Sequence, residues 1–229
     1  MDCIQPLMLP LFAEIRRSGN NAAPAFEATI GYISVLTWPF FAFLVVCADP
    51  VILVMFGEQW HRSAYLLQLV SIGGLFWIVQ PVANSLLIAL GHLKMIVRIQ
   101  IVNQIVALIG VIAASLHGIE AVAMAAIPIS AAHGFLWLYS AHRAIHLRLG
   151  GIAGAAWSSA FVTVCSVGLP IMVVVFGSGM TQFEKLILAM VGGAVGWLIG
   201  ILLCRHPISK EARRLALHLR KTTLGRARI

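Results

Sequence analysis

Six long stretches nearly free of charge constrain this chain more than any motif does. They lie near residues 28–48, 64–90, 95–115, 120–141, 152–176 and 185–204. A helix crossing the hydrocarbon core of a bilayer needs about 20 predominantly apolar residues, and each stretch supplies them. Runs of this length are helices, because the strands of a membrane barrel are alternating segments of about ten residues. Gly91-His92-Leu93-Lys94 separates the second stretch from the third. The expected fold is therefore all-α: a polytopic membrane bundle of six transmembrane helices.

Composition closes off the other classes. Of 229 residues, 60% are hydrophobic and 10% charged, whereas a soluble domain is about a quarter charged. Disorder is excluded on the same ground, and four cysteines are too few for a disulfide scaffold. Cys3, Cys47, Cys165 and Cys204 are scattered without CxxC spacing and read as small apolar residues.

The formal charge of +8 suggests nucleic acid until it is located. Residues 205–229 hold Arg205, Lys210, Arg213, Arg214, Arg220, Lys221, Arg226 and Arg228 against Glu211 alone, so a tail carries nearly all of it. In that tail Ile208, Ala212, Leu215 and Leu219 fall on one helical face opposite the basic residues. An amphipathic helix on anionic lipid headgroups is the expectation, a solvated tail the alternative, and no nucleic-acid partner is expected. With the N-terminus inside, fourteen Lys and Arg fall in inner segments, and only Arg62 and Lys185 in outer loops. The positive-inside rule thus makes both ends cytoplasmic.

Three regions follow. Residues 1–27 read as the end of a truncated helix and a cytoplasmic loop, 28–204 as the six-helix membrane bundle, and 205–229 as the basic cytoplasmic tail. The opening run Cys3 to Ala13 is too short to span, lacks a basic n-region and contains Pro6 and Pro10, so no cleavable signal is expected there. Pro39, Pro81, Pro128 and Pro170 interrupt spans, and each frees a backbone carbonyl that a neighbour must satisfy. Gly192, Gly196 and Gly200 recur at four-residue spacing in the last span. They predict close helix contact, either with the Gly151, Ala155 and Ser158/Ser159 face of the fifth span or across a dimer.

Three passages carry a resemblance. Leu9-Pro10-Leu11-Phe12-Ala13-Glu14-Ile15-Arg16 precedes an apolar span with Pro39 inside it. Val54-Met55-Phe56-Gly57-Glu58-Gln59-Trp60 closes that span ahead of Ala64, and Ala89-Leu90-Gly91-His92 ends the next. In order and spacing, over roughly residues 6 to 100, they resemble the C-terminal half of bacterial lipopolysaccharide and polysaccharide flippases of the multidrug/oligosaccharidyl-lipid/polysaccharide exporter superfamily. The resemblance implies a two-lobed fold of twelve to fourteen helices. It also implies movement of lipid-linked oligosaccharides from the inner to the outer leaflet through a central polar cavity. Six spans correspond to part of the second lobe plus two trailing helices. A missing first lobe, or a second copy of the chain, is then the implied partner, and transport by the chain alone is not expected.

Polar side chains inside spans are the default functional candidates. Gln80 and Asn84 share a face of the second span, and Gln100, Asn103 and Gln104 a face of the third. All five lie within about 16 Å of the turn at 91–94, at 1.5 Å per residue. They are expected to converge between the two spans, either as a cavity wall suited to sugar hydroxyls or as amides bonding one helix to the other. Arg98 has the chemistry of a pyrophosphate ligand. Helical geometry turns it away from Gln100, Asn103 and Gln104, so snorkelling to headgroups is the competing reading. His133 is a packing residue or a proton relay. His142 and His146 lack a third metal ligand.

No GxSxG, HExxH or phosphate-cradling glycine loop occurs, and no cofactor or enzymatic activity is expected. The leading expectation is a component of a polysaccharide or glycolipid flippase. The alternative is a non-transporting six-helix scaffold or assembly protein.

Overall fold

Gln5–Arg17 is a short helix in which Arg16 and Arg17 close a largely apolar run with positive charge, which suits a helix C-terminus. The computed structural model describes residues 5–147 and 149–204. In order these form α1 (Gln5–Arg17), α2 (Ala23–Val46), α3 (Ala48–Phe56), a 3-10 turn (Glu58–Trp60), α4 (His61–Gly74), α5 (Val79–Leu90), α6 (Leu93–Ser115), α7 (Ile119–Ile145), α8 (Leu149–Phe176) and α9 (Gln182–Leu203). Among the described residues there is no strand, and six helical stretches are long and apolar enough to cross a membrane. The fold is all-helical, and length and composition make the chain a multi-pass membrane protein. The basic tail lies outside the described residues.

The first span starts five residues earlier than the charge-free run implied. Asn21 Oδ1 accepts from the Ala23 amide at 2.9 Å, and Pro24 sits in the first turn, where its missing N–H is harmless. Glu27 is thereby carried inside the helix, which a search for uncharged residues could not anticipate. Pro39 leaves the Val35 carbonyl without its helical donor. The indole of Trp197 on α9 fills that gap, donating to Val35 O at 2.9 Å.

The second span is broken, but one turn ahead of Gln80-Pro81. Pro81 occupies the third position of α5, where a backbone amide has no intrahelical partner to lose. The irregularity is displaced to residues 75–78. There the amides of Leu75, Phe76 and Trp77 form short i→i−3 bonds of 3.2–3.3 Å. Trp38 Nε1 donates to the Leu75 carbonyl at 3.1 Å. Opposite the break a Cβ on Gly134 would lie 2.8 Å from the Phe76 carbonyl oxygen, so only glycine lets α7 approach.

The core centres on α2, which packs along α8 and touches α4, α5 and α9. Phe12, Phe26, Val82, Leu86, Leu87 and Trp137 join α1, α2, α5 and α7 at the end of the molecule bearing Arg16. Arg16 donates to Ala89 O at 2.6 Å, and Gly91 at φ 80° ends α5. The glycine stripe lies against α8, though not on the expected residues. Gly192 faces Leu169, Gly196 faces Cys165, and Gly200 faces Val162. Gly200, near the end of α9, already meets Val162 in the middle of α8, and the Gly151–Ser159 end of α8 turns instead to α2. There Ser34 and Ser159 hydroxyls bond at 2.7 Å, and Gly151 makes room for Glu27.

Candidate functional site

A cavity of about 300 Å³ opens between α5, α6 and α7. Its wall is built by helical spacing. Trp77, at the break, precedes Gln80 by three residues, so both face it. Gln100, Asn103, Gln104 and Ala107 form one stripe of α6, and Ile129, Ser130 and His133 one stripe of α7. Gln80 lies ten residues from the end of α5, about 15 Å at 1.5 Å per residue, and the cavity is therefore at mid-membrane depth.

Four of the five amides expected to converge do line this cavity, but the second and third spans alone do not make it. α6 rests chiefly on α7, with less contact to α5, so α7 supplies the third side. Asn84 is not brought to it. One helical turn along from Gln80 it stands partly buried, at a level where α5 is packed against α1 and α2. Arg98 is exposed and outside the lining, as its helical angle requires.

His133 joins the wall to the break. Its Nε2 lies 3.1 Å from Gln80 Oε1, and with the amide oxygen accepting, the ring proton sits on Nε2. Its ring is roughly parallel to Trp77 with centroids 6.3 Å apart, and the Trp137 ring stands 6.4 Å away on the same helix. Trp77 Nε1 donates to Ser130 Oγ at 3.2 Å, so its indole is held at both edge and face. On the opposite wall, Asn103 Nδ2 is buried with no partner.

Neither Trp77 nor Ser130 is evident as a site residue from polarity alone. Spacing was the available signal, since each lies three residues before a partner, Gln80 or His133. The described lining holds donors and acceptors but no Lys, Arg, Asp or Glu. Such a wall can hydrogen-bond a neutral polar solute. It has no acid–base pair and no anionic ligand set. Elsewhere His142 Nδ1 lies 3.1 Å from the Leu147 carbonyl, a contact that ties the turn after α7.

The site and fold together define a class, a multi-pass helical membrane protein with an uncharged amide-lined cavity at mid-span. Residues 1–65 match the profile of a family described as Polysaccharide biosynthesis protein. The match covers α1, α2, α3 and the start of α4. No curated protein and no solved structure matches the chain.

Proposed function

We propose that this chain is a component of a polysaccharide-precursor flippase, one wall of a path that carries a lipid-linked oligosaccharide from the inner to the outer leaflet. The observation carrying the proposal is the amide-lined cavity with an open side. Gln100 and Gln104 are exposed on α6 at mid-membrane depth. An amide facing hydrocarbon without a partner costs several kcal/mol, so that side of the cavity faces polar groups or water rather than lipid. The match of residues 1–65 to a polysaccharide biosynthesis family supports the choice of solute.

In this reading both ends are cytoplasmic, the bundle lies in a bacterial inner membrane, and the basic tail meets anionic headgroups. A complementary lobe or a second copy supplies the far wall. Alternating access needs a site enclosed between two bundles that move against each other, and these six spans provide one. The chain carries no reaction and no cofactor. The purified chain, confirmed monomeric, is reconstituted with a fluorescent lipid-linked oligosaccharide, and transfer between leaflets is measured. The monomer gives the protein-free rate, while vesicles that also hold the complementary lobe, or a cross-linked pair, exceed it. Transfer by the monomer, or none by either assembly, overturns the proposal.

A further inference from the structure

The cavity is a specific kind of half-site. Its volume of about 300 Å³ is at the low end for ligand pockets, which suits one sugar ring and not an oligosaccharide. Trp77 is about half exposed and presents a large apolar face, while its N–H is already bonded to Ser130 and its other face lies roughly parallel to the His133 ring. An indole fixed in this way is a platform whose orientation costs a ligand no further ordering. Across from it Asn103 Nδ2 is a buried donor lacking an acceptor. Gln100 and Gln104, one turn apart, each offer a donor and an acceptor at the lip.

Resting on the flippase reading, we propose that this cavity is a subsite for a single uncharged pyranose. The apolar face of the sugar lies on Trp77, and its ring hydroxyls are read by Asn103, Gln100 and Gln104. The subsite rejects acidic sugars and does not hold the phosphate of the carrier lipid. Among the described lining residues none carries a fixed positive charge, and a carboxylate there would be desolvated without a counter-ion. Arg98 faces elsewhere. Trp77 is thus the specificity-determining platform, and Asn103, whose Nδ2 is covered in the unliganded wall, turns that donor into the cavity to meet a hydroxyl oxygen.

The test uses the full chain in nanodiscs, with methyl glucoside and methyl glucuronide as probes in saturation-transfer NMR titrations. Binding of the glucoside is expected in the millimolar range, with the glucuronide at least tenfold weaker. Because Nδ2 of Asn103 has no partner to lose, Asn103→Leu is expected to leave thermal stability unchanged or raised. It should weaken the glucoside about tenfold, the factor for roughly one net hydrogen bond. Trp77→Phe retains a ring and is expected to bind several-fold more weakly, and Trp77→Ala not measurably. Equal binding of both probes, stronger binding of the glucuronide, or an unchanged glucoside affinity in Asn103→Leu overturns the inference. Glucoside binding lost through His133→Phe but kept in Trp77→Ala overturns it as well. Flipping by the assembled lobes without any response to these probes leaves the flippase reading standing and removes the subsite. Probe binding of the expected pattern with no flipping by any assembly does the reverse.

Discussion

Gly196→Ala is the most informative single-atom perturbation of this fold. A Cβ at that position would overlap the Cys165 carbonyl oxygen and lie 3.0 Å from Cys165 C and 3.1 Å from Ser166 Cα. All three are backbone, so no rotamer change relieves the clash, and α9 must move by about 1 Å to restore ordinary separations. Overpacking of this kind costs about 1–3 kcal/mol. The same register holds Trp197 Nε1 on Val35 O at 2.9 Å and Ser166 Oγ on Gly193 O at 3.0 Å. Weakening these two adds about 1 kcal/mol each. A total loss of about 3–5 kcal/mol is expected, set against a control in the facing helix. Gly168 of α8 is exposed with nothing within 4 Å of its would-be Cβ. Gly168→Ala should therefore be neutral or stabilise by up to about 1 kcal/mol through helix propensity. Reversible unfolding in mixed micelles measures both. If Gly196→Ala is as stable as Gly168→Ala, the α8–α9 contact described above is wrong.

Trp197→Phe should cost about 1–3 kcal/mol, because it strands the Val35 carbonyl beside Pro39. Adding Pro39→Ala returns a helical N–H to that carbonyl, so the double variant should show a coupling of about 1 kcal/mol in a mutant cycle. Strict additivity would mean the indole bond contributes nothing. On a cysteine-free background, Trp60→Cys and His117→Cys should react with an impermeant maleimide from outside, and His92→Cys and Thr222→Cys should not. Labelling of His92→Cys or Thr222→Cys in intact cells would reverse the orientation drawn from the distribution of Lys and Arg.

The spans were legible because charge is costly in hydrocarbon, and its near-absence over 20 residues leaves little choice. Their ends were less so: Glu27 sits within α2, and Pro81 displaced the break to residues 75–78 without standing in it. Sequence spacing grouped Gln100, Asn103 and Gln104 correctly, since one helix fixes their common face. It did not place Asn84 outside the cavity, and it offered His133 only as a weaker candidate, because those positions depend on which helix α6 rests against. The partners of the tryptophans were equally hidden. An indole N–H has no sequence signature for the carbonyl it will meet 37 or 162 residues away.

That last separation has a consequence for biogenesis. Val35 is translated 162 residues before Trp197. At about 5–20 residues per second the interval is roughly 10–30 s. Throughout it, α2 carries a carbonyl at its proline that its own backbone cannot satisfy. The first span is therefore an unfinished part until the last one arrives. Deleting α9 should do more than shorten the protein: it should leave α2 a client of whatever insertase or quality-control protease inspects polar defects in nascent membrane helices.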